Sequence, residues 1–271
     1  MNHDSAWQEA LVRYCKDFNI PIDYLSDILR DSKVNPMIRG KGFEFSTLQA
    51  FQRILKPDVW EVSKPNMNAQ AMQHDVDILV KHIGSGKTIS VECKLSKKDS
   101  FRVSKTGEVS AAVKCMRSRT LGQEIIAERA PLMGVTVQQL NAHKDNYLNT
   151  DFDVVASSFG NAFYTTDKEN GEYIWSLDTS HQAIVEKILQ NKKSDLKKAA
   201  FDYILVAKAS DLSPSAGFTP CARKACKHKG TCAFIPNYPV VKFDSSSGTP
   251  IKPWNSLTAL EDVLLDVLSK K

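Results

Sequence analysis

The sequence predicts a mixed α/β (α+β) domain in which a central β-sheet is flanked by helices. Apolar residues follow the three- to four-residue period of helices up to residue 55, and this spacing changes to the alternation of strands after residue 59. Further along the chain, strand patterns and helix patterns follow one another, an order that is typical of mixed α/β or α+β domains. With 271 residues, of which 42% are hydrophobic and 25% charged, the chain is long enough to bury one large core.

Helices are predicted wherever apolar residues recur every three or four positions. Pro21 and Pro57 end the first and third of these patterns, and Gly40 and Gly42 precede the third. The predicted helices span residues 5–18, 24–29, 43–55, 121–130, 135–147, 181–200 and 256–268.

Strands are predicted where apolar and polar residues alternate, or where short apolar runs lie between turn residues. Gly84, Ser85 and Gly86 form a turn that joins the second and third strands into a hairpin. The Ser-rich stretch from Ser96 to Arg119 is expected to be a loop or a short ribbon. The predicted strands span residues 59–63, 76–82, 88–95, 152–157, 162–166, 172–176 and 203–208.

The composition divides the chain into three expected segments: a helical segment at 1–42, a core with insertions at 43–210, and a Cys-rich segment with a C-terminal helix at 211–271. The net charge is only +5, which does not by itself identify a polyanionic partner. No apolar run approaches the roughly 18 residues of a membrane helix, and the polar N-terminus lacks a signal-peptide core. We therefore expect a cytoplasmic protein with no membrane partner.

Two carboxylates and an ammonium are expected to converge on the central hairpin. Glu92 and Lys94 point to one face of their strand because side chains alternate, and the hairpin brings Asp77 roughly opposite them. Asp75 lies two positions before Asp77 and is the alternative acid; we prefer Asp77 because aliphatic residues bracket it. Oxygen ligands of this kind suit Mg²⁺, with Asp77 and Glu92 as its ligands. A bound Mg²⁺ would polarise a phosphodiester, and the lysine would position or deprotonate the attacking water.

An acidic strand residue followed by Glu-x-Lys in the next strand resembles the PD-(D/E)xK nuclease superfamily. Here the motif consists of Asp77 and Glu92-Cys93-Lys94, and the resemblance covers about residues 43–160. Glu44 lies in the preceding helix, where the family often has an accessory acid. The first motif departs from the family pattern, because His74 and Asp75 stand in place of a Pro-Asp pair.

In its size and its single nuclease core, the chain resembles a stand-alone type II restriction endonuclease. The resemblance implies a restriction-endonuclease-like core, Mg²⁺-dependent cleavage of double-stranded DNA, a homodimer and a prokaryotic source. A repair or mobile-element nuclease of the same fold is the nearest alternative. A second alternative is a non-catalytic, zinc-containing nucleic-acid-binding protein, which would have no need of the Asp77, Glu92 and Lys94 set.

Positive charge is concentrated directly after the acidic motif. Eight Lys and Arg residues lie between positions 94 and 119, opposed by only Asp99 and Glu108, so this segment alone carries a net charge of +6. Cations beside an active strand are suited to holding a phosphate backbone. The candidate DNA-binding residues are Lys97, Lys98, Arg102, Lys105, Lys114, Arg117 and Arg119.

The Cys-rich segment predicts a metal site. Cys221, Cys226, His228 and Cys232 lie within twelve residues, and three thiolates with one imidazole suit a structural zinc. The surrounding Pro, Gly and Lys residues cannot build an apolar core, so a metal would organise the segment. The alternative is a loop with reduced free thiols.

Overall fold

The computed structural model describes residues 3–65, 76–117, 120–190 and 195–271, with side chains from residue 6 onward. The architecture is mixed α/β, with a mostly antiparallel central sheet flanked by helices. The helices are α1 (His3–Asp17), α2 (Leu25–Arg30), α3 (Asn35–Ile54), α4 (Gln123–Leu132), α5 (Val137–Ala142), α6 (Thr179–Ile188), α7 (Leu196–Asp202), α8 (Ala209–Leu212) and α9 (Leu260–Leu268). The strands are β1 (Trp60–Ser63), β2 (Ile78–His82), β3 (Thr88–Leu95), β4 (Arg102–Val103), β5 (Val109–Ala112), β6 (Val154–Ser158), β7 (Tyr164–Thr166), β8 (Tyr173–Trp175), β9 (Ile204–Lys208), β10 (Val240–Phe243) and β11 (Asn255–Ser256).

The central sheet has the strand order β1-β2-β3-β6-β9-β11. Strands β3 and β6 run parallel, and the other neighbouring pairs are antiparallel. The β2–β3 hairpin pairs Ile78 with Val91, so the next position along the ladder sets Asp77 beside Glu92. Strands β10-β5-β4 and β7-β8 form two smaller, separate sheets.

Apolar residues cover both faces of the central sheet. On one face, Phe51 of α3 and Leu264 of α9 pack over β2 and β3. On the other face, Phe159, Leu205 and Trp254 belong to a second core. Because side chains alternate along a strand, Cys93 joins the first core and its neighbours Glu92 and Lys94 face the opposite side.

The C-terminal segment packs into this architecture. Strand β10 pairs with β5, β11 adds the last strand beside β9, and α9 covers the sheet. The indole nitrogen of Trp60 donates to the carboxylate of Glu261 at 3.0 Å, which ties α9 to β1. Residues 211–271 thus share a core with the sheet. Among the described helices, none has both the length and the apolar character needed to cross a bilayer.

Several element boundaries differ from the predicted ones. Helix α3 begins at Asn35 instead of residue 43, because Pro36 starts it in its first turn and the helix runs on through Gly40 and Gly42. Glycine inside a helix costs only about 1 kcal/mol, which the buried face of α3 offsets. In place of one helix over 181–200, α6 ends before Gln190, whose φ of 55° is left-handed, and α7 begins at Leu196.

Candidate functional site

A cleft of about 950 Å³ opens at the end of β3. The four residues predicted as catalytic all line it: Glu44 from α3, Asp77 directly before β2, and Glu92 and Lys94 from β3. The sheet register accounts for this convergence, since Asp77 and Glu92 occupy neighbouring positions on adjacent strands. Asp75, the alternative to Asp77, lies outside the described residues.

Asp77 is a buried carboxylate held by the backbone of β3. Its Oδ2 accepts a hydrogen bond from the amide of Cys93 at 2.8 Å. Burial, followed by the negative charge of Glu92, raises the pKa of Asp77 to about 7. The two acids therefore repel each other across the hairpin, and a cation between them would relieve this repulsion.

Glu92 and Lys94 form a shielded ion pair. Lys94 Nζ lies 2.6 Å from Glu92 Oε1, with side-chain exposures of 20% and 6%. By contrast, the surface pair of Lys81 and Glu61 is 46% and 60% exposed. Burial alone would lower the pKa of Lys94, but the charge of Glu92 outweighs it and the pKa lies above its usual value. The pair is thus distinct from a solvated cross-strand pair.

Glu44 is joined to the hairpin through a second lysine. It is buried on α3, and its Oε2 accepts hydrogen bonds from Lys41 at 2.9 Å and from Lys64 at 2.5 Å. Lys64 also donates to the carbonyl oxygen of Asp77 at 3.3 Å. Glu44 therefore lies at the edge of the carboxylate cluster and is already engaged by two ammonium groups.

The structure gives the predicted DNA-binding residues different surroundings. Lys97, Lys98 and Lys114 line the cleft. Arg102 and Lys105 are exposed on the β4–β5 ribbon outside it, and Arg102 is bound to Asp99. Arg119 lies outside the described residues.

Arg117 also lines the cleft, and its guanidinium is engaged by neighbouring residues. It forms a largely buried ion pair with Asp151, and its Nε donates to the carbonyl of Asn146 at 2.9 Å. Breaking a buried pair leaves an uncompensated charge, so the pair with Asp151 supports the fold, and the DNA contact of Arg117 stays a prediction.

A second cluster lies beside the cleft and could bind a metal ion such as zinc. Its members are His143, Cys221, Cys226 and Cys232, whose ligand atoms all lie within 4.8 Å of one another. All four residues are buried, and α4 and α5 supply apolar neighbours. Burial, with a further contribution from Cys221, raises the pKa of the Cys232 thiol to about 12. A bound cation is what would hold these thiols as thiolates.

The prediction of His228 as a ligand of this cluster is wrong. Its side chain is exposed on the loop between Cys226 and Cys232. The imidazole that completes the cluster belongs to His143, whose Nε2 lies 3.6 Å from Cys232 Sγ and 4.0 Å from Cys221 Sγ. The ring of His143 stacks on Phe234 at 4.4 Å. Because His143 is 78 residues before Cys221, local spacing favoured the nearer histidine.

Two site residues were not expected from the sequence. Lys64 links Glu44 to Asp77, and Tyr147 donates a hydrogen bond from its hydroxyl to Glu92 Oε1 at 3.2 Å. Lys64 follows a strand, where no motif marks it. Tyr147 falls at the end of a predicted helix, so its approach to β3 depends on tertiary packing.

Comparisons with known proteins add no assignment to this geometry. No protein-family model matches the chain, and no curated protein or solved structure matches it.

Proposed function

We propose that this chain is a Mg²⁺-dependent DNA endonuclease with a restriction-endonuclease-like PD-(D/E)xK core, and that it acts as a type II restriction enzyme on double-stranded DNA. The observation that carries the proposal is the convergence of Asp77, Glu92 and Lys94 in one cleft. Their order along the chain and their position on a hairpin agree with the motif that the sequence suggested. A binding protein would gain nothing from burying two repelling carboxylates.

The donor set of the cleft fits a hard divalent cation. Asp77 and Glu92 offer carboxylate oxygens from neighbouring strand positions, and their mutual repulsion is the charge pattern that a cation neutralises. Mg²⁺ bound there would polarise a phosphodiester and activate a water molecule. Glu44 is the more distant acid, and its two lysine contacts suit a supporting role at the edge of the site.

Lys94 is the group of this chain that can act directly on the reacting phosphate. Its ammonium is fixed beside Glu92 and lies 5.1 Å from the centre of the Tyr147 ring. A fixed cation in a shielded cleft stabilises negative charge that develops on a phosphate, and it can orient the attacking water. Asp77 and Glu92 would hold the Mg²⁺ ion, and the backbone amide of Cys93 keeps Asp77 in position.

The lysines around the cleft supply the grip on the DNA backbone. Lys97 and Lys98 follow directly after β3, and Lys114 faces the same cleft from the end of the β4–β5 ribbon. Lys97 lies over the Tyr238 ring at 5.0 Å, and Lys98 over the Tyr173 ring at 3.8 Å. These lysines would hold phosphates on either side of the one that is cleaved.

The metal cluster is assigned a structural zinc in this proposal. Three thiols and one imidazole would fill the four positions of a structural zinc and leave none for a reacting water. The described part of one chain carries one candidate active site, so cleavage of both strands of a duplex calls for a homodimer. Sedimentation equilibrium of the purified protein, with and without DNA, tests that part of the proposal.

The decisive experiment is plasmid cleavage by the purified chain in Mg²⁺ and in EDTA, with Glu92→Gln as the matched inactive control. We expect discrete fragments in Mg²⁺ from the parent and none from Glu92→Gln or in EDTA. A smear would favour a non-specific nuclease of the same fold. DNA binding without cleavage in any divalent metal would favour the non-catalytic alternative.

A further inference from the structure

A short segment joins the metal cluster to the candidate active site. His143 completes the Cys cluster at one end of this segment, and Tyr147, four residues later, donates its hydroxyl hydrogen bond to Glu92 at the other. The amide of Asn146 donates to the carbonyl of His143 at 2.8 Å, so the segment is a tight turn. We call residues 143–147 the bridging segment. It is the shortest covalent route between the two described sites.

The loop from Cys221 to Cys232 and the residues after it also contact the bridging segment. Arg223 lies between Cys221 and Cys226, and its guanidinium forms an ion pair with Asp145 and donates to Asn146 Oδ1 at 3.2 Å. Asn237, which follows the last cysteine of the loop by five residues, donates to the other oxygen of Asp145 at 2.6 Å. A loop rich in Lys and poor in apolar residues keeps such contacts only when its own backbone is fixed, which a bound metal would achieve.

Tyr147 is packed with its hydroxyl against Glu92 and its ring beside Lys94. The side chain is buried, its ring meets Phe152 edge-on at 5.2 Å, and the Arg117 guanidinium lies 4.9 Å from the ring centre. On the cleft side, the ring also faces Lys94. The hydroxyl therefore meets the carboxylate of Glu92 on the same oxygen that Lys94 contacts.

We infer that Tyr147 is a positioning residue for Glu92 and Lys94, and that the metal cluster fixes Tyr147 through the bridging segment and Arg223. This inference rests on the proposed nuclease function. With Oε1 of Glu92 held by Tyr147 and Lys94, its other oxygen would be available to a cation. Metal bound at the Cys cluster then affects cleavage without touching the DNA or the reacting phosphate.

The first test replaces Tyr147 by Phe, which keeps the ring and removes only the hydroxyl. A hydrogen bond to a charged group stabilises by about 1.5 to 3 kcal/mol, so we expect the single-turnover cleavage rate at saturating DNA to fall roughly 10- to 100-fold. The dissociation constant for DNA should stay at the parental value, and the melting temperature should fall by no more than the loss of one such hydrogen bond explains. Tyr203→Phe, a half-buried tyrosine outside the cleft, is the matched control and should cleave at the parental rate.

The second test breaks the link and leaves the metal ligands intact. Arg223→Gln should keep one zinc per chain, increase amide hydrogen exchange over residues 143–148, and slow single-turnover cleavage. In combination with Tyr147→Phe the two losses should be less than additive, because both act through the position of one hydroxyl. Strictly additive losses, or an Arg223→Gln variant with parental exchange and parental rate, would overturn the inference.

A third measurement separates this inference from the proposed function. The affinity of the parent and of Tyr147→Phe for Mg²⁺ alone is measured by calorimetry, where we expect the variant to bind several-fold more weakly. If the parent protein binds Mg²⁺ but never cleaves DNA, the proposed function is wrong, while the positioning of Glu92 by Tyr147 can still hold. Equal Mg²⁺ affinity and an equal cleavage rate in the two proteins would show that Tyr147 does not position Glu92 or Lys94.

Discussion

Lys94 Nζ and Glu92 Oε1 lie 2.6 Å apart in the cleft, on the same face of β3 and two residues from each other. The mostly buried pair differs in its surroundings from the exposed pair of Lys81 and Glu61 on the neighbouring strands. This contrast provides an internal control, because both pairs join a lysine to a glutamate in the same sheet.

The first prediction concerns the function of this lysine. Lys94→Ala should lower the single-turnover cleavage rate roughly 100- to 10,000-fold, the range for a positioned catalytic side chain, with DNA affinity changed much less. Lys81→Ala should leave the rate unaltered, because Lys81 lies outside the cleft. Its exposed ion pair contributes at most about 1 kcal/mol to stability, so the fold should also be preserved. Cleavage by Lys94→Ala at a rate near that of the parent would contradict the assignment.

The second prediction concerns Asp77. In Asp77→Asn, the amide oxygen can still accept the hydrogen bond from Cys93, while the negative charge that burial and Glu92 disfavour is removed. We therefore expect the variant to lose Mg²⁺-dependent cleavage but to melt at or above the parental temperature in the absence of Mg²⁺. A gain of 1 kcal/mol would correspond to about 2 to 4 °C for a domain of this size.

Calorimetric Mg²⁺ titration and thermal unfolding of the same preparations check this prediction. Asp75→Asn is the matched variant, since Asp75 is the other acid of the motif. If Asp75→Asn is inactive and Asp77→Asn cleaves DNA, the metal ligand is Asp75.

The sequence predicted the part of the site that depends on local pattern. Strand β3 spans Thr88–Leu95, the predicted range, because alternation between apolar and polar residues is strong there and a Gly-containing turn precedes it. A hairpin of known turn position then fixes which residues oppose each other, so the approach of Asp77 to Glu92 followed from the register alone. Local patterns suffice when both partners lie on adjacent strands joined by a short turn.

The parts that sequence reasoning missed depend on long-range packing. His143 reaches the Cys cluster across 78 residues, and Tyr147 reaches Glu92 across 55. Strand β10 is short and pairs with β5, from which it is more than 100 residues distant, so neither length nor alternation marked it. No periodicity in the chain encodes such contacts. The His143 and β10 contacts follow from how residues 211–271 fold back over the core, and the Tyr147 contact follows from how residues 143–147 pack against β3.

The third prediction is that the purified chain carries one zinc ion, bound through His143 and not through His228. His143→Ala should reduce the zinc content from about one per chain to near zero and lower the melting temperature, because zinc affinity is part of the folding free energy. His228→Ala alters an exposed side chain and should retain the metal. Elemental analysis of protein purified without chelator gives the number of zinc ions per chain. Equal zinc in both variants would mean that only the cysteines are needed to bind the metal.

The last prediction concerns the grip on DNA by Lys97 and Lys98. Each faces the cleft, and neither forms an ion pair with an acid among the described residues. If each neutralises about one phosphate, replacing both with Ala should weaken binding to every DNA sequence alike and reduce the slope of log K against log salt by about one to two.

Lys81 and Lys87, at the turn end of the β2–β3 hairpin and outside the cleft, form the matched double variant and should keep the parental slope. Fluorescence anisotropy over a range of salt concentrations, in Ca²⁺ to prevent cleavage, measures both slopes. A slope that stays parental while the preferred sequence is lost would mean that Lys97 and Lys98 contact bases instead of phosphates.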